Sequence, residues 1–215
     1  MVEPIILWVP GTSNHSINTA FQQALPLGMK AGLVDYEASW DLPRSVQDGV
    51  HQLEMALHHA YMKKKRGQKI VLAGESQGAW VIAQTLSNRN YNHLVDKVVL
   101  LGLPGIAPTK FRGTSGMYPT FFGGTSRFLE ISHRFDYATF RWSDSKKLQG
   151  AVARFMSGNL RDLPLFLSLA IHHPIRSAIS GFLLLKHIPM FGAVIPNPHN
   201  YDDDMQTAVD WLLHE

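Results

Sequence analysis

Ser76 stands in Gly74-Glu75-Ser76-Gln77-Gly78, with the apolar run Lys69-Ile70-Val71-Leu72-Ala73 before it and helix-like residues 79–86 after it. The pattern G-x-S-x-G places a serine in a tight strand-to-helix turn, whose strained flanks must be nearly free of side chains. The hydroxyl is then held clear of the sheet. A helix starting at Gln77 directs its first N–H groups and its positive dipole end to where an oxyanion would form. The chemistry this points to is nucleophilic attack on a carbonyl carbon. With Gly and Ser each near about 7% of residues, the bare pattern arises by accident in a chain of this length roughly one time in ten. The flanking strand and helix therefore carry the inference.

A serine hydroxyl is a poor nucleophile near neutral pH and needs a base oriented by an acid. In this strand-turn-helix context the acid and then the histidine follow the serine along the chain. The histidines after Ser76 are His93, His133, His172, His173, His187, His199 and His214. His199 lies in Ile195-Pro196-Asn197-Pro198-His199-Asn200-Tyr201, a proline-stiffened loop just before the closing helix, and is the expected base. The alternative is a loop histidine making ordinary hydrogen bonds. Asp136, in Ser132-His133-Arg134-Phe135-Asp136 after the last strand, is the expected acid. Asp144 is its rival, although Ser143-Asp144-Ser145 precedes a helical pattern for which Asp144 is a natural N-terminal cap. Asp202-Asp203-Asp204 reads as carboxylates capping the N–H groups at the start of the last helix.

These residues need a scaffold, and alternating apolar runs supply one. Strands are predicted at residues 4–9, 33–36, 70–73, 97–102 and 127–132, the fourth being apolar throughout as in a buried parallel strand. Helices are predicted at residues 17–30, from Pro43 through Val46, Val50, Leu53, Leu57 and Ala60, and at residues 77–87. The expected fold class is α/β, a central parallel sheet of about five strands with helices on both faces. In the strand order 2-1-3-4-5 the first and third strands are neighbours at the switch point. Their turns then meet, and the N–H groups of Thr12 and Gln77 converge on one oxygen as an oxyanion hole. Thr12 read alone is also an ordinary turn residue or helix cap.

The chain of 215 residues is expected to form one domain, with residues 145–196 as a helical insertion or lid rich in Leu, Ile and Phe, suited to meeting lipid chains. No stretch reaches the eighteen or so apolar residues of a membrane span. There are no cysteines, which excludes disulfides, thiolate nucleophiles and Cys-ligated metal centres. The N-terminal residues read as a strand and not as a signal peptide. A net charge of +3 with 17% charged residues gives no broad nucleic-acid footprint. Lys63-Lys64-Lys65-Arg66 reads as a helix C-terminus capped before Gly67. There is no H-E-x-x-H and no phosphate-binding glycine loop, so no metal or cofactor is expected.

Gly74-Glu75-Ser76-Gln77-Gly78-Ala79 resembles the G-Y-S-Q-G-A elbow of cutinase-like serine esterases, among them the mycobacteriophage lysin B enzymes. Gly11-Thr12 after the first strand and Gly102-Leu103-Pro104 after the fourth are similar too. The resemblance implies an α/β-hydrolase with a helical insertion between acid and histidine, and Ser76, Asp136 and His199 as triad. By family it implies hydrolysis of the ester joining mycolic acid to arabinogalactan. The enzyme would be made in the host cytoplasm and act at the cell envelope on phage lysis. Glu75 stands where the family has tyrosine, and Arg134-Phe135-Asp136-Tyr137 does not match its Gly-Asp.

Overall fold

The structure is a computed structural model, and it describes residues 2–39, 41–104, 127–132 and 200–214. Five strands, β1 (Ile5–Val9), β2 (Ala31–Leu33), β3 (Ile70–Glu75), β4 (Lys97–Leu101) and β5 (Phe128–Ile131), form one sheet. The order is β2-β1-β3-β4-β5 and every pairing is parallel. The helices among the described residues are α1 (Thr19–Ala24), α2 (Leu42–Lys63), α3 (Gln77–Thr85), the one-turn α4 (Arg89–Asn92) and α5 (Met205–Leu213).

Strand side chains alternate between two apolar layers, as the pleat requires. Leu7, Val9, Ile70, Leu72, Val98, Leu100 and Phe128 pack with Val46, Leu53 and Leu57 of α2 and Val81 and Ile82 of α3. Ile6, Trp8, Val71, Ala73, Val99 and Leu101 face the other way, onto Phe21 of α1 and Met205, Ala208, Val209 and Leu212 of α5. Because both faces are covered, the strands read as apolar runs instead of alternating patterns. The expected five-stranded parallel sheet with flanking helices is what the chain forms.

Several boundaries differ from expectation, each for a local reason. β2 is Ala31–Leu33, not residues 33–36, because its register sets Trp8 opposite Leu33 and β1 ends at Val9. Val34, Tyr36 and Ala38 keep the buried alternation of a strand; Val34 N–H still donates to Trp8 O at 2.9 Å, while Tyr36 and Ala38 lie past the end of β1. α1 covers six residues instead of 17–30, since Leu25 precedes Pro26 and takes the extended conformation that proline imposes. Gly67 does not cap α2; it takes φ 78° in a separate turn closed by Gln68 N–H to Lys65 O at 3.0 Å. Asp202, Asp203 and Asp204 form a 3-10 turn before α5 and make no side-chain cap, contrary to the reading as caps. The insertion at 145–196 lies outside the described residues.

α5 is anchored at its far end by a buried lysine. Lys97, at the start of β4, donates from Nζ to Trp211 O at 2.8 Å and to His214 O, and lies 4.8 Å from the Trp211 ring centroid. An ammonium on the last carbonyls of a helix complements its dipole.

Candidate active site

Ser76 joins β3 directly to α3 and has φ 54° and ψ −116°. Positive φ is uncommon for a residue with a Cβ and persists only where the surroundings hold it. Here the main chain holds both sides: Ser76 N–H donates to Leu101 O of β4 at 2.8 Å, and Ser76 O accepts the first bond of α3, from Trp80 N–H at 3.1 Å. The N–H groups of Gln77, Gly78 and Ala79 precede that bond and have no partner within the helix. The glycines of the pattern are required by close approach. A Cβ on Gly78 would lie 2.0 Å from Val9 O and 2.6 Å from Pro10 O, and one on Gly74 would lie 2.6 Å from Ile82 Cδ1.

The sheet order brings the turn after β1 against Ser76. A Cβ on Gly11 would meet Ser76 Cβ at 3.4 Å and Glu75 O at 3.2 Å. Thr12 is half-buried in that turn, which closes through Asn14 N–H to Gly11 O at 3.1 Å. Thr12, Ser76 and Gln77, spread over 66 positions, are thus gathered at the C-terminal edge of β1 and β3. The carboxyl edge at a switch point is where ligands bind in open α/β sheets.

Three side chains that the sequence reading did not single out, those of Tyr36, Ser45 and Asn18, hold this arrangement. The Tyr36 hydroxyl donates to Pro10 O at 2.7 Å. Burial, and then the negative charge of Asp48, push the Tyr36 phenol well above its ordinary range, so it remains a neutral donor. Ser13 N–H donates to Ala38 O at 2.5 Å, tying the same turn to the loop after β2. The Gln77 amide, 1% exposed, donates from Nε2 to Ser45 Oγ at 2.8 Å and to Ser39 O at 3.2 Å. Ser45 Oγ accepts Ser39 N–H at 3.0 Å and gives its own hydrogen to Glu37 O. Its hydrogen being committed, Ser45 offers Gln77 only a lone pair, which orients the amide; Gln77 Oε1 is left buried with no partner.

Asn18 is the third. Its Oδ1 caps α1 by accepting Ala20 N–H at 2.8 Å and Phe21 N–H at 3.2 Å. Its Nδ2 donates to Glu75 Oε2 at 3.3 Å and to Asp202 Oδ1 at 3.0 Å. An asparagine before a helix is readable from sequence as a cap; its second pair of bonds spans 57 and 184 positions and is not.

Asp136, its rival Asp144, and His199 lie outside the described residues. Asn200, which follows His199 directly, is described and accepts Asp202 N–H on Oδ1 at 2.9 Å. Among the described residues no three His, Cys, Asp or Glu side chains come together to hold a metal ion. No helix among them is long and apolar enough to cross a membrane.

No protein-family model matches the sequence, and no curated protein does. Solved structures do match. Lysin B from Mycobacteriophage D29 superposes with a TM-score of 0.59 at 18% identity, over 97% of this chain and 98% of that one. The fold is cutinase-like. Trichoderma reesei cutinase, solved in complex with a phosphonate inhibitor, superposes with a TM-score of 0.53 at 18% identity, over 98% of this chain and 74% of that one. At that identity the likeness is one of fold: a five-stranded parallel sheet with flanking helices.

Proposed function

We propose that this protein is a serine esterase with Ser76 as nucleophile. The observation that carries the reading is Ser76 held at φ 54° between a central parallel strand and a helix N-terminus, with the Gly11-Thr12 turn packed against it. His199 takes the Ser76 hydroxyl proton and Asp136 orients the imidazole. Oγ attacks the ester carbonyl carbon, and the amides of Thr12 and Gln77 receive the oxyanion. Collapse of the tetrahedral species breaks the bond to the alcohol, which leaves with the proton from His199. Water, deprotonated by His199, then releases the acid and frees Ser76.

For the substrate we propose a lipid ester, and specifically the ester joining mycolic acid to arabinogalactan in the mycobacterial envelope. Support comes from Gln77 and Gly11-Thr12 in the sequence and from the nearly full-length superposition on a mycobacteriophage lysin B. Release from the host cytoplasm at lysis would bring the enzyme to that ester.

Purified protein should hydrolyse a p-nitrophenyl ester and form a fluorophosphonate adduct on Ser76 detectable by mass spectrometry. Ser76→Ala should lose both. Unchanged hydrolysis by Ser76→Ala overturns the esterase reading, and a missing adduct favours a lipid-binding protein on the same fold. Release of mycolic acid from isolated mycobacterial cell wall tests the substrate. Turnover confined to soluble or polymeric esters would favour a cutinase or general lipase instead. Asp136→Asn and Asp144→Asn, compared directly, identify the acid by which of them loses turnover.

A further inference from the structure

Glu75 stands where cutinase-like elbows carry tyrosine, and the structure gives it a partner. Period-two alternation along β3 sends Val71, Ala73 and then Glu75 to the face covered by α1 and α5, so its carboxylate emerges at the rim between those helices. There Asn18 Nδ2 donates to Glu75 and to Asp202 at once, while Asn18 Oδ1 accepts two N–H groups of α1. The amide uses both hydrogens and both lone pairs, which leaves one orientation for it. Only a side chain that caps with an oxygen and donates twice can do this, and two carboxylates that would otherwise repel are held on one nitrogen.

We infer that Asn18 is a positioning residue: with Glu75 and Asp202 it forms a bracket that sets the distance between the Ser76 elbow and the chain entering α5. Glu75 is covalently next to the nucleophile. Asp202 belongs to the run Asn200, Tyr201, Asp202 that begins immediately after His199, and Tyr201 is fully buried beneath it. Asn200 Oδ1 accepts Asp202 N–H at 2.9 Å, so the bracket reaches to the residue bonded to His199. Lys97 anchors the other end of α5, and the bracket bonds the turn at its N-terminal end. The inference rests on the esterase reading, in which His199 serves Ser76.

Asn18→Asp tests it. An aspartate caps a helix as well as asparagine does, so α1 is retained. Both donors are lost and a third carboxylate joins the other two. Expected is a fall in kcat on the order of 10- to 100-fold, the range that a small misplacement of a catalytic group brings, with KM within about threefold. The melting temperature should move little. Asn18→Asp combined with Asp202→Asn and Glu75→Gln exchanges donor and acceptor across both bonds and should restore most of kcat. Asp202→Ala, which adds no charge, should lower kcat in the same way and guards against a folding failure of Asn18→Asp. Ser76-dependent hydrolysis that is unaffected by Asn18→Asp and Asp202→Ala overturns the bracket and leaves the esterase intact. So does a kcat loss in both that follows loss of folded protein. Hydrolysis that does not depend on Ser76 overturns both.

Discussion

Glu75 and Gln77 flank the same serine and are held in opposite ways. Gln77 is sealed beneath the α2 side of the sheet, its amide nitrogen shared between Ser45 and Ser39 in a network without formal charge. Glu75 is half-buried at the α1 and α5 rim, a carboxylate on an amide that also holds Asp202. Breaking a buried hydrogen bond strands a polar group without water, which is expensive. At the rim water competes for each partner, so the same bond adds little stability. The comparison teaches a division of labour: the sealed side gives the elbow its stability, and the wet side gives it a position relative to a distant part of the chain.

Substitutions can break or sharpen that contrast. Gly78→Ala acts on both sides at once, since its Cβ would sit 2.0 Å from Val9 O, and should cost more than about 3 kcal/mol in denaturant titration. It should also abolish fluorophosphonate labelling of Ser76. Ser45→Ala should cost about 1–3 kcal/mol, because Ser39 N–H and Gln77 Nε2 lose a buried acceptor.

Tyr36→Phe removes the bond to Pro10 O and should cost about 1 kcal/mol near neutral pH. Its pH dependence has a definite sign. The folded phenol titrates above the unfolded one, so the stability it contributes is fully present below about pH 10 and is lost as pH rises from there toward the folded value. Denaturant titrations in alkaline buffer should therefore fall more steeply for the wild type than for Tyr36→Phe.

The smallest change in stability is expected for Glu75→Gln, within about 0.5 kcal/mol, since a neutral amide oxygen still accepts from Asn18. Its kcat should stay close to the wild-type value for the same reason. If Glu75→Gln cost as much stability as Ser45→Ala, the proposed division between the two flanks would collapse.

Much of this arrangement was legible in residues 1–104. The apolar runs name the strands to within a residue or two, except β2, whose end is decided by where β1 stops. Pro26 was a readable stop signal for α1, and the periodicity of the residues around it hid it. Asp202, Asp203 and Asp204 looked like helix caps because carboxylates at a helix start usually are. Instead a 3-10 turn intervenes, and Asp202 bonds an amide from the other end of the chain. Glu75 could have been assigned a face from period two alone, but no local rule supplies its partner.

By itself the sequence determined the strand-turn-helix around Ser76 and the parallel sheet, because apolar period and turn chemistry are local; crossover handedness left few topologies, and the order among them came from the fold. Only the tertiary structure decided what holds the turn. Tyr36 on Pro10, Gln77 on Ser45, and Asn18 on Glu75 and on Asp202 are hydrogen bonds whose reach of about 3 Å joins residues 26 to 184 positions apart. Such contacts depend on which sheet edge and which face each side chain reaches, and that is known only once the chain has folded.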